Sequence, residues 1–404
     1  MLNRISRRLN LIYILIHTFF WLAYGTVWAY AAVLLSERGF TGTQIGLAIS
    51  GATGGSILFE AVLSSLTDKK RMTSRQATIG LMITAATGIL LLWAQPAHAF
   101  LRILASFILL AAAHNAAAAF VNAMAMEQVA RGIALNSGLG RGFGSISYAV
   151  ANFTIGRLLV RYSSSFVFPL GACLCIGCSC MAALFIDPQE RSSAAAEETK
   201  EASPVSFWTL LRENPFFTLT LVGCAFLMFG QNVSNTYMIY IARRVGGTEA
   251  TMGTTLAIGA LLEMPAMACV ERLRRKHSSL PLFRICALAF AAKQFLLMQA
   301  TSVPFLYASM LMQFFEFGFF APVSVFYVQE TICAADRTKG QAAMQAAAVG
   351  LGCVLAGVTG GSVFDRYGIH AMHMLGFCAA AAGFLIVTIS TLCQQRMTKR
   401  RETV

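Results

Sequence analysis

The sequence contains few charged residues. Of its 404 residues only 12% are Asp, Glu, Lys or Arg, whereas 57% are hydrophobic. A soluble globular chain carries roughly 25% charged residues, so most of the surface of this protein cannot face water. The charges fall in clusters, and the apolar stretches between them are about 20 to 28 residues long, enough for a helix to cross a bilayer core of about 30 Å. We therefore predict an all-α membrane protein.

About twelve such stretches can be counted, and each predicts one membrane helix. The predicted helices span residues 10–35, 43–66, 75–95, 98–128, 137–160, 165–187, 213–241, 249–270, 280–299, 302–331, 338–363 and 369–394. The first follows a basic segment, MLNRISRR, but its apolar run exceeds the 7–15 residues of a signal peptide. We therefore expect it to be retained.

The sequence also lacks the motifs of several other functions. It contains no Walker GxxxxGK[ST] motif, and the glycine-rich GLGRGFG (138–144) follows no strand, so neither ATP nor a dinucleotide is expected. Eleven cysteines are present, but in CLCIGCSC (173–180) they form two opposed pairs on a helix, which cannot close a tetrahedral zinc site. We predict no metal, no cofactor and no enzymatic activity.

The net charge of +13 comes from basic clusters on alternate loops. If the N-terminus is inside the cell, twelve crossings place nearly all of these clusters on the same side of the membrane, which is the positive-inside pattern. The charge therefore predicts cytoplasmic termini and contact with anionic lipid, and not nucleic-acid binding. We expect the bacterial inner membrane.

One long polar stretch interrupts the apolar pattern. Its sequence, DPQERSSAAAEETKEASP (187–204), is typical of a flexible linker. It predicts an N-terminal six-helix half at 1–187, a cytoplasmic linker at 188–208 and a C-terminal six-helix half at 209–404.

The two halves share an internal repeat. Glu60 lies eight residues before Asp68, Glu263 lies eight residues before Glu271, and the two copies are 203 residues apart. Glu127 and Glu330, which end the fourth and tenth predicted helices, have the same separation. Repeated halves related by an axis along the membrane normal are typical of transporters that hold substrate near the bilayer midplane.

Several segments resemble the major facilitator superfamily. TDKK (67–70) and VERLRRK (270–276) match its charged loops after the second and eighth helices. The segments 127–159 and MQFFEFGFFAPVSVFY (312–327) resemble its lactose permease-like branch, and EMP (263–265) resembles the related phenylpropionate and nucleoside permeases. The resemblance implies alternating access by rocking of two halves, with helices 1, 4, 7 and 10 lining the cavity.

Two opposite charges lie on consecutive helices of the second half. Lys293 is on the ninth predicted helix and Glu316 is on the tenth. The resembled branch couples protons through a basic residue and a Phe-Glu carboxylate at these positions. It also has a histidine where this chain has Gln313 and a carboxylate where this chain has Ala123, which argues against sugar recognition by the lactose pattern. We predict that Glu316 and Lys293 couple transport to protons; a purely structural salt bridge is the alternative.

Polar and aromatic side chains on the predicted cavity helices are candidate substrate contacts. On the first helix one stripe carries aromatic rings and a histidine, which suits stacking and hydrogen bonding, although such stripes also serve packing. The candidates are His17, Trp21, Tyr24, Trp28, His114, Asn115, Asn122, Arg141, Gln231, Asn232, Asn235 and Gln313. For Arg141 an ordinary interfacial position is the alternative.

The repeated carboxylates are candidate gating residues. Glu60 and Glu263 lie about 12 Å inside the cytoplasmic edge, where they could bind a proton or substrate or, as we favour, join helices during rocking. Nearer the edge, Asp68, Lys69, Glu271 and Arg272 are predicted to hold the cytoplasmic side closed.

Together these features predict a secondary active transporter driven by the proton gradient. We expect a monomer in the lipid bilayer that imports a small organic solute, a sugar, a nucleoside or an aromatic acid. The alternatives are proton-driven efflux of drug-like compounds and a non-transporting membrane sensor with the same fold.

Overall fold

The computed structural model describes residues 2–69, 71–96, 99–185 and 206–402, and the regular structure in these ranges is helical throughout. The chain forms two compact units, Met1–Glu198 and Thr199–Val404. Of the predicted linker, only residues 206–208 are among the described residues, and the last two of them begin a helix.

The described part of the first unit contains seven α-helices. They are α1 (Leu2–Ala23), α2 (Ala31–Ser36), α3 (Gly42–Asp68), α4 (Ser74–Ala94), α5 (Phe100–Ala130), α6 (Ser137–Arg161) and α7 (Val167–Leu184). A π-helical turn, Tyr24–Trp28, separates α1 from α2, and a 3-10 turn, Ser164–Phe166, leads into α7.

The described part of the second unit contains nine. They are α8 (Phe207–Glu213), α9 (Pro215–Thr236), α10 (Met238–Arg244), α11 (Glu249–Arg274), α12 (Ser279–Gln299), α13 (Val303–Ser309), α14 (Phe317–Thr331), α15 (Arg337–Gln345) and α16 (Gly352–Glu402). Shorter 3-10 turns lie at Met310–Phe314 and Ala334–Asp336, and a π-helical turn lies at Ala346–Leu351.

Eleven segments of the described chain are long and apolar enough to cross a membrane. Ten of them are 21 to 32 residues long, but the last, Ala334–Met397, has 64. A helix of that length would extend roughly 96 Å, too long for one crossing. Within it Gly368 breaks the helix with φ 81° and ψ 179°. This segment supplies two crossings, so the described residues contain the predicted twelve, six in each unit.

Glycines bring the helices of the first unit into close contact. A Cβ atom at Gly140 would lie 2.6 Å from the Tyr13 ring, and one at Gly144 would overlap the Trp21 ring. The glycine-rich start of α6 therefore packs directly on α1. This is the close helix approach that small residues permit in membranes.

The second unit uses glycine between α9 and the last part of α16. A Cβ atom at Gly230 would lie 2.7 Å from the Gly376 carbonyl oxygen, and one at Gly383 would lie 2.8 Å from that of Gly223. The backbones of these two helices therefore lie almost in contact, which fixes the position of α9 and its polar side chains.

The corner that follows the first crossing of each unit has the same construction. A glycine with positive φ ends the short helix, Gly39 at 82° and Gly246 at 79°. Two residues later a threonine forms a capping box at the start of the next helix, Thr41 for α3 and Thr248 for α11. The repeat seen in the sequence therefore extends to local backbone structure.

An arginine at each corner caps the third crossing of its unit. The guanidinium of Arg38 donates to the Leu92 carbonyl near the end of α4. In the second unit Arg244 donates to the last carbonyls of α12, those of Leu297, Met298 and Ala300. Burial lowers the pKa of both guanidinium groups, yet an arginine stays charged and stabilises the negative end of the helix dipole.

A glutamate holds the opposite end of each of these helices. The Glu127 carboxylate accepts a hydrogen bond from Ser74 Oγ in the first turn of α4. Glu330 accepts from both Ser279 N, at 2.9 Å, and Ser279 Oγ, at 2.7 Å, in the first turn of α12. The repeated glutamates therefore fix the position of α4 and α12, and α12 carries Lys293.

Candidate functional site

The tenth crossing is broken where it carries its carboxylate. The 3-10 turn Met310–Phe314 ends shortly before Glu316, whose ψ of −101° is not helical, and α14 begins at the next residue. Interrupted membrane helices commonly mark the binding sites of transporters. The break directs Glu316 towards α12, where Lys293 lies.

Lys293 and Glu316 form a fully buried ion pair. The Lys293 Nζ atom lies 2.6 Å from Glu316 Oε2, and the two side chains are 1% and 0% exposed. The ammonium also donates to Gln313 Oε1 at 2.5 Å and to Gln231 Oε1 at 2.9 Å. All three of its donors are therefore used. The second oxygen of Glu316, Oε1, has no partner among the described residues.

Glu263 joins the same group. Its Oε1 atom accepts a hydrogen bond of 2.9 Å from Gln313 Nε2, while Gln313 Oε1 accepts from Lys293. Gln313 therefore contacts Glu263 directly and is connected to Glu316 through Lys293. We call Gln231, Glu263, Lys293, Gln313 and Glu316 the ammonium network. It combines one buried cation with two carboxylates.

Gln231 and Gln313, which the sequence predicts as substrate contacts, both accept hydrogen bonds from Lys293. The other two candidates on the seventh crossing lie apart from the network. Asn232 donates to the Met228 carbonyl of its own helix at 2.7 Å, and Asn235 is exposed.

The aromatic stripe of the first crossing forms a continuous cluster from Trp21 onward. The ring centroids of Trp21 and Tyr24 lie 5.3 Å apart, and those of Tyr24 and Trp28 lie 5.9 Å apart. The π-helical turn begins at Tyr24 and ends at Trp28. Such turns are frequent at functional sites because they change the direction of side chains.

Two other helices complete this cluster. The His114 ring of α5 lies 4.4 Å from Phe20 and 5.5 Å from Tyr24, and the Tyr148 ring of α6 lies 5.9 Å from both Trp21 and Tyr24. Phe107, also on α5, stacks on Trp28 at 5.9 Å. We call the set the aromatic cluster; its members are Phe20, Trp21, Tyr24, Trp28, Phe107, His114 and Tyr148. Tyr148 is not among the substrate contacts predicted from the sequence. Its position one helical turn after Gly144, on the glycine-rich face that packs on α1, is the signal that could have identified it.

The remaining candidates of the first unit lie outside the aromatic cluster. His17 is buried and packs edge-on against Tyr13, with the ring centroids 4.7 Å apart. Arg141 is exposed at the start of α6, Asn115 is half-buried and Asn122 is exposed.

Most predicted gating residues lie at the surface. Asp68, Lys69, Glu271 and Arg272 are exposed, and none of them forms an ion pair with another described residue. Glu60 is half-buried, and it lacks the contact that its repeat partner Glu263 makes with the tenth crossing.

Known proteins resemble this chain along most of its length. A transporter of Bacillus subtilis (strain 168) named as uncharacterized, YwbF, is 23% identical over 87% of this chain and 85% of that protein. The maltose permease of Geobacillus stearothermophilus is 24% identical over 63% of each chain. The crystal structure of the nucleoside transporter NupG superposes with a TM-score of 0.76 over 96% of this chain and 98% of that one, at 14% identity.

The family model agrees with the helical architecture and its two six-helix units. The model of the MFS_1 like family matches residues 8–375, which includes nearly all of both units. The chain is therefore a multi-pass membrane transporter of the MFS_1 like family, within the major facilitator superfamily, and not an enzyme.

Proposed function

We propose that this protein is a proton-coupled symporter that imports a small organic solute by alternating access. The observation that carries the proposal is the buried Lys293–Glu316 pair, held by two glutamine side chains at a break in the tenth crossing. In this proposal Glu316 binds the transported proton, and Lys293 stabilises the carboxylate once the proton has left.

The burial of Glu316 supports this role. Its side chain is 0% exposed, and a carboxylate in such a place is unfavourable by several kcal/mol unless a cation pairs with it. Lys293 supplies that cation, so a bound proton and the lysine contact can replace one another at Glu316. Glu316 Oε1 has no hydrogen-bond partner among the described residues, so this oxygen can accept the proton without breaking any hydrogen bond that they make.

Two gating roles follow from the same contacts. Because Glu263 lies on α11 and bonds Gln313 of the tenth crossing at 2.9 Å, we infer that it links the movement of these helices to the state of Lys293. The exposed residues Asp68, Lys69, Glu271 and Arg272 are proposed to hold the cytoplasmic side closed by pairing in one state of the transport cycle.

The nature of the solute is inferred from the aromatic cluster. Its rings offer stacking surfaces with polar groups at their edges, which suits a ring-bearing solute. Relatives named as a maltose permease and a nucleoside transporter support a small organic substrate. We infer the inner membrane of a bacterium, with cytoplasmic termini, from the distribution of basic residues.

The test uses purified protein in proteoliposomes with an inwardly directed proton gradient. Radiolabelled uridine, maltose and benzoate serve as solutes, and uptake is compared with counterflow exchange at equal pH on both sides. For the accumulated solute, Glu316→Gln is expected to abolish uphill uptake and to retain counterflow, because exchange requires no net proton release. The exposed Glu213→Gln is the matched control and is expected to behave as wild type.

Three outcomes contradict the proposal. The first is uphill uptake at the wild-type rate in Glu316→Gln. The second is a solute gradient that forms only outward, which would identify an exporter. The third is that none of the solutes accumulates under the proton gradient.

A further inference from the structure

Two buried side chains of the second unit carry polar atoms that lack hydrogen-bond partners. His373, on the twelfth crossing, and Gln294, on α12, are each 0% exposed. Neither ring nitrogen of His373 nor the Nε2 atom of Gln294 has a partner among the described residues. The Oε1 atom of Gln294 accepts a hydrogen bond from Ser234 Oγ on α9. Buried polar atoms are nearly always paired with protein or with ordered water, so we call His373, Gln294 and Ser234 the polar series and expect water in it.

His373 lies nearer than Gln294 to the end of α12. Arg244 donates to the last carbonyls of that helix, and its positive charge acts electrostatically on the His373 ring. Gly376, one turn after His373, packs beside Gln294, because a Cβ atom at the glycine would lie 3.5 Å from Gln294 Oε1. The polar series therefore begins next to the helix end that Arg244 caps.

At its other end the polar series reaches the ammonium network. Ser234 lies one turn after Gln231 on α9, and Gln231 accepts a hydrogen bond of 2.9 Å from Lys293. On α12, Gln294 is the residue that follows Lys293. Along the axis Lys293 is about 9 Å from the end of its helix. Polar side chains therefore extend from His373 to the ammonium network over a short distance.

The packing beside Gln294 leaves room for water. A Cβ atom at Gly376 would meet no atom of the described residues closer than 3.5 Å, which is an ordinary van der Waals distance. Because glycine has no side chain, a methyl-sized space remains next to the amide of Gln294. A buried water needs both room and several polar partners, and the polar series offers both.

The opposite end of α9 carries a polar group that is complete in itself. The Tyr327 hydroxyl lies 3.0 Å from Thr220 Oγ1 and 3.2 Å from Gln394 Oε1. Thr220 Oγ1 also lies 2.9 Å from Ser390 Oγ. These side chains supply one another's hydrogen bonds, whereas three atoms of the polar series have no partner among the described residues. The comparison favours water in the polar series.

His373 has the chemistry of a proton relay. A neutral imidazole has one donor and one acceptor nitrogen, so it can take up a proton on one side and release one on the other. Arg244 on α10 and the exposed His370 on its own helix are the titratable groups whose charges act on it within the described residues. The sequence of α9 contains no charged residue, and that of α12 contains Arg284 and Lys293.

We propose that water bound between His373 and Gln294 forms the route by which protons reach Glu316 from the end of α12 that we infer to face outside. This inference rests on the proposed function, because it names the path to the proton-binding carboxylate. A hydronium ion protonates one ring nitrogen of His373, and the other nitrogen releases its proton to the water beside Gln294. Water along Ser234 and Gln231 then transfers one proton to Glu316, and the ring returns to its first tautomer.

The first measurement tests whether water reaches His373. Full-length protein in proteoliposomes is labelled with an NMR-active nitrogen isotope in its histidine rings. The signal that is lost in His373→Gln identifies the residue. Magnetisation is expected to pass from water to this buried ring, and the result does not depend on transport or on any solute.

The second measurement follows the rate at which Glu316 is protonated. Infrared spectroscopy of the detergent-purified protein records the carboxyl C=O absorption after a rapid change from alkaline to acidic pH, and Glu316→Gln identifies the band. His373→Phe keeps a ring but removes both nitrogens, and is expected to slow the appearance of the band at least tenfold with unchanged amplitude. His373→Gln retains a polar side chain without the relay and is expected to give an intermediate rate. The matched control, His370→Gln, changes an exposed histidine of the same helix and is expected to react at the wild-type rate.

Two results would overturn the inference. One is a His373 ring that receives no magnetisation from water. The other is protonation of Glu316 at the wild-type rate in His373→Phe, or in His373→Gln if the phenylalanine variant does not purify as a monodisperse protein. Equal rates with a clear carboxyl band refute the route alone. A wild-type protein without the Glu316 band refutes the proposed function, and the route with it.

Discussion

Removing the charge of Lys293 alone is predicted to destabilise the second unit severely. Lys293→Met keeps a similar side-chain volume but leaves Glu316 buried without its cation. It also leaves the side-chain oxygens of Gln231 and Gln313 without their donor. Breaking a buried pair by removing one partner costs about 3–5 kcal/mol. For a folding unit of about 200 residues this corresponds to a loss of roughly 6–20 °C in Tm.

The double variant Lys293→Met/Glu316→Gln is the matched comparison. It removes both charges together, and replacing a buried pair by neutral groups of similar volume is often nearly neutral. We therefore expect it to recover most of the lost stability. Thermal unfolding in detergent, followed by intrinsic fluorescence over a range of pH, measures both variants.

The pH dependence gives a second criterion. Protonation neutralises the unpaired carboxylate, so the single variant is expected to become more stable towards acidic pH relative to the double variant. A Lys293→Met protein as stable as wild type would contradict the stabilising role of the ion pair. So would a double variant as unstable as the single one.

Two further predictions concern the helix contacts that position these groups. Gly144→Leu is expected to cost about 1–3 kcal/mol because its side chain would overlap Trp21. In the control Gly80→Ala the added Cβ meets no atom of the described residues within 4 Å, so this variant should be neutral or stabilising by up to about 1 kcal/mol. Thermal unfolding measures both. Glu330→Gln is expected to lower the free energy of unfolding by about 1–3 kcal/mol, because it weakens the hydrogen bonds to the start of α12. The control Glu213→Gln changes an exposed residue and should change stability by less than about 0.5 kcal/mol. Equal unfolding temperatures of the two variants would contradict the role of Glu330.

Much of the fold could be predicted from the sequence because the membrane imposes a minimum apolar length. The helix bounds lie within a few residues of the predicted spans for most crossings. The sequence also predicts two crossings within the last 64-residue apolar segment, which the structure divides at Gly368. The break at Glu316 could not be predicted. The surrounding MQFFEFGFF is otherwise almost entirely apolar, and proline appears only later, at Pro322.

The candidate site was predictable only where charge alone identifies a partner. Lys293 and Glu316 are opposite charges on consecutive helices, so their pairing follows from topology. The contacts of Gln231 and Tyr13 depend on the rotation of helices about their axes, which apolar patterns in a lipid environment barely determine. Likewise the sequence identifies Glu127 as part of the repeat, but its hydrogen bond with Ser74 is visible only in the packed unit.

Proton movement caused by the solute is the direct test of proton coupling at the Lys293–Glu316 pair. Proteoliposomes in weakly buffered medium receive the solute that wild type accumulates, and a pH electrode records the external medium. We expect the medium to become alkaline with wild type, because protons enter with the solute, and to stay unchanged with Glu316→Gln. Solute entry without alkalinisation in wild type, or equal alkalinisation in Glu316→Gln, would contradict coupling at the Lys293–Glu316 pair.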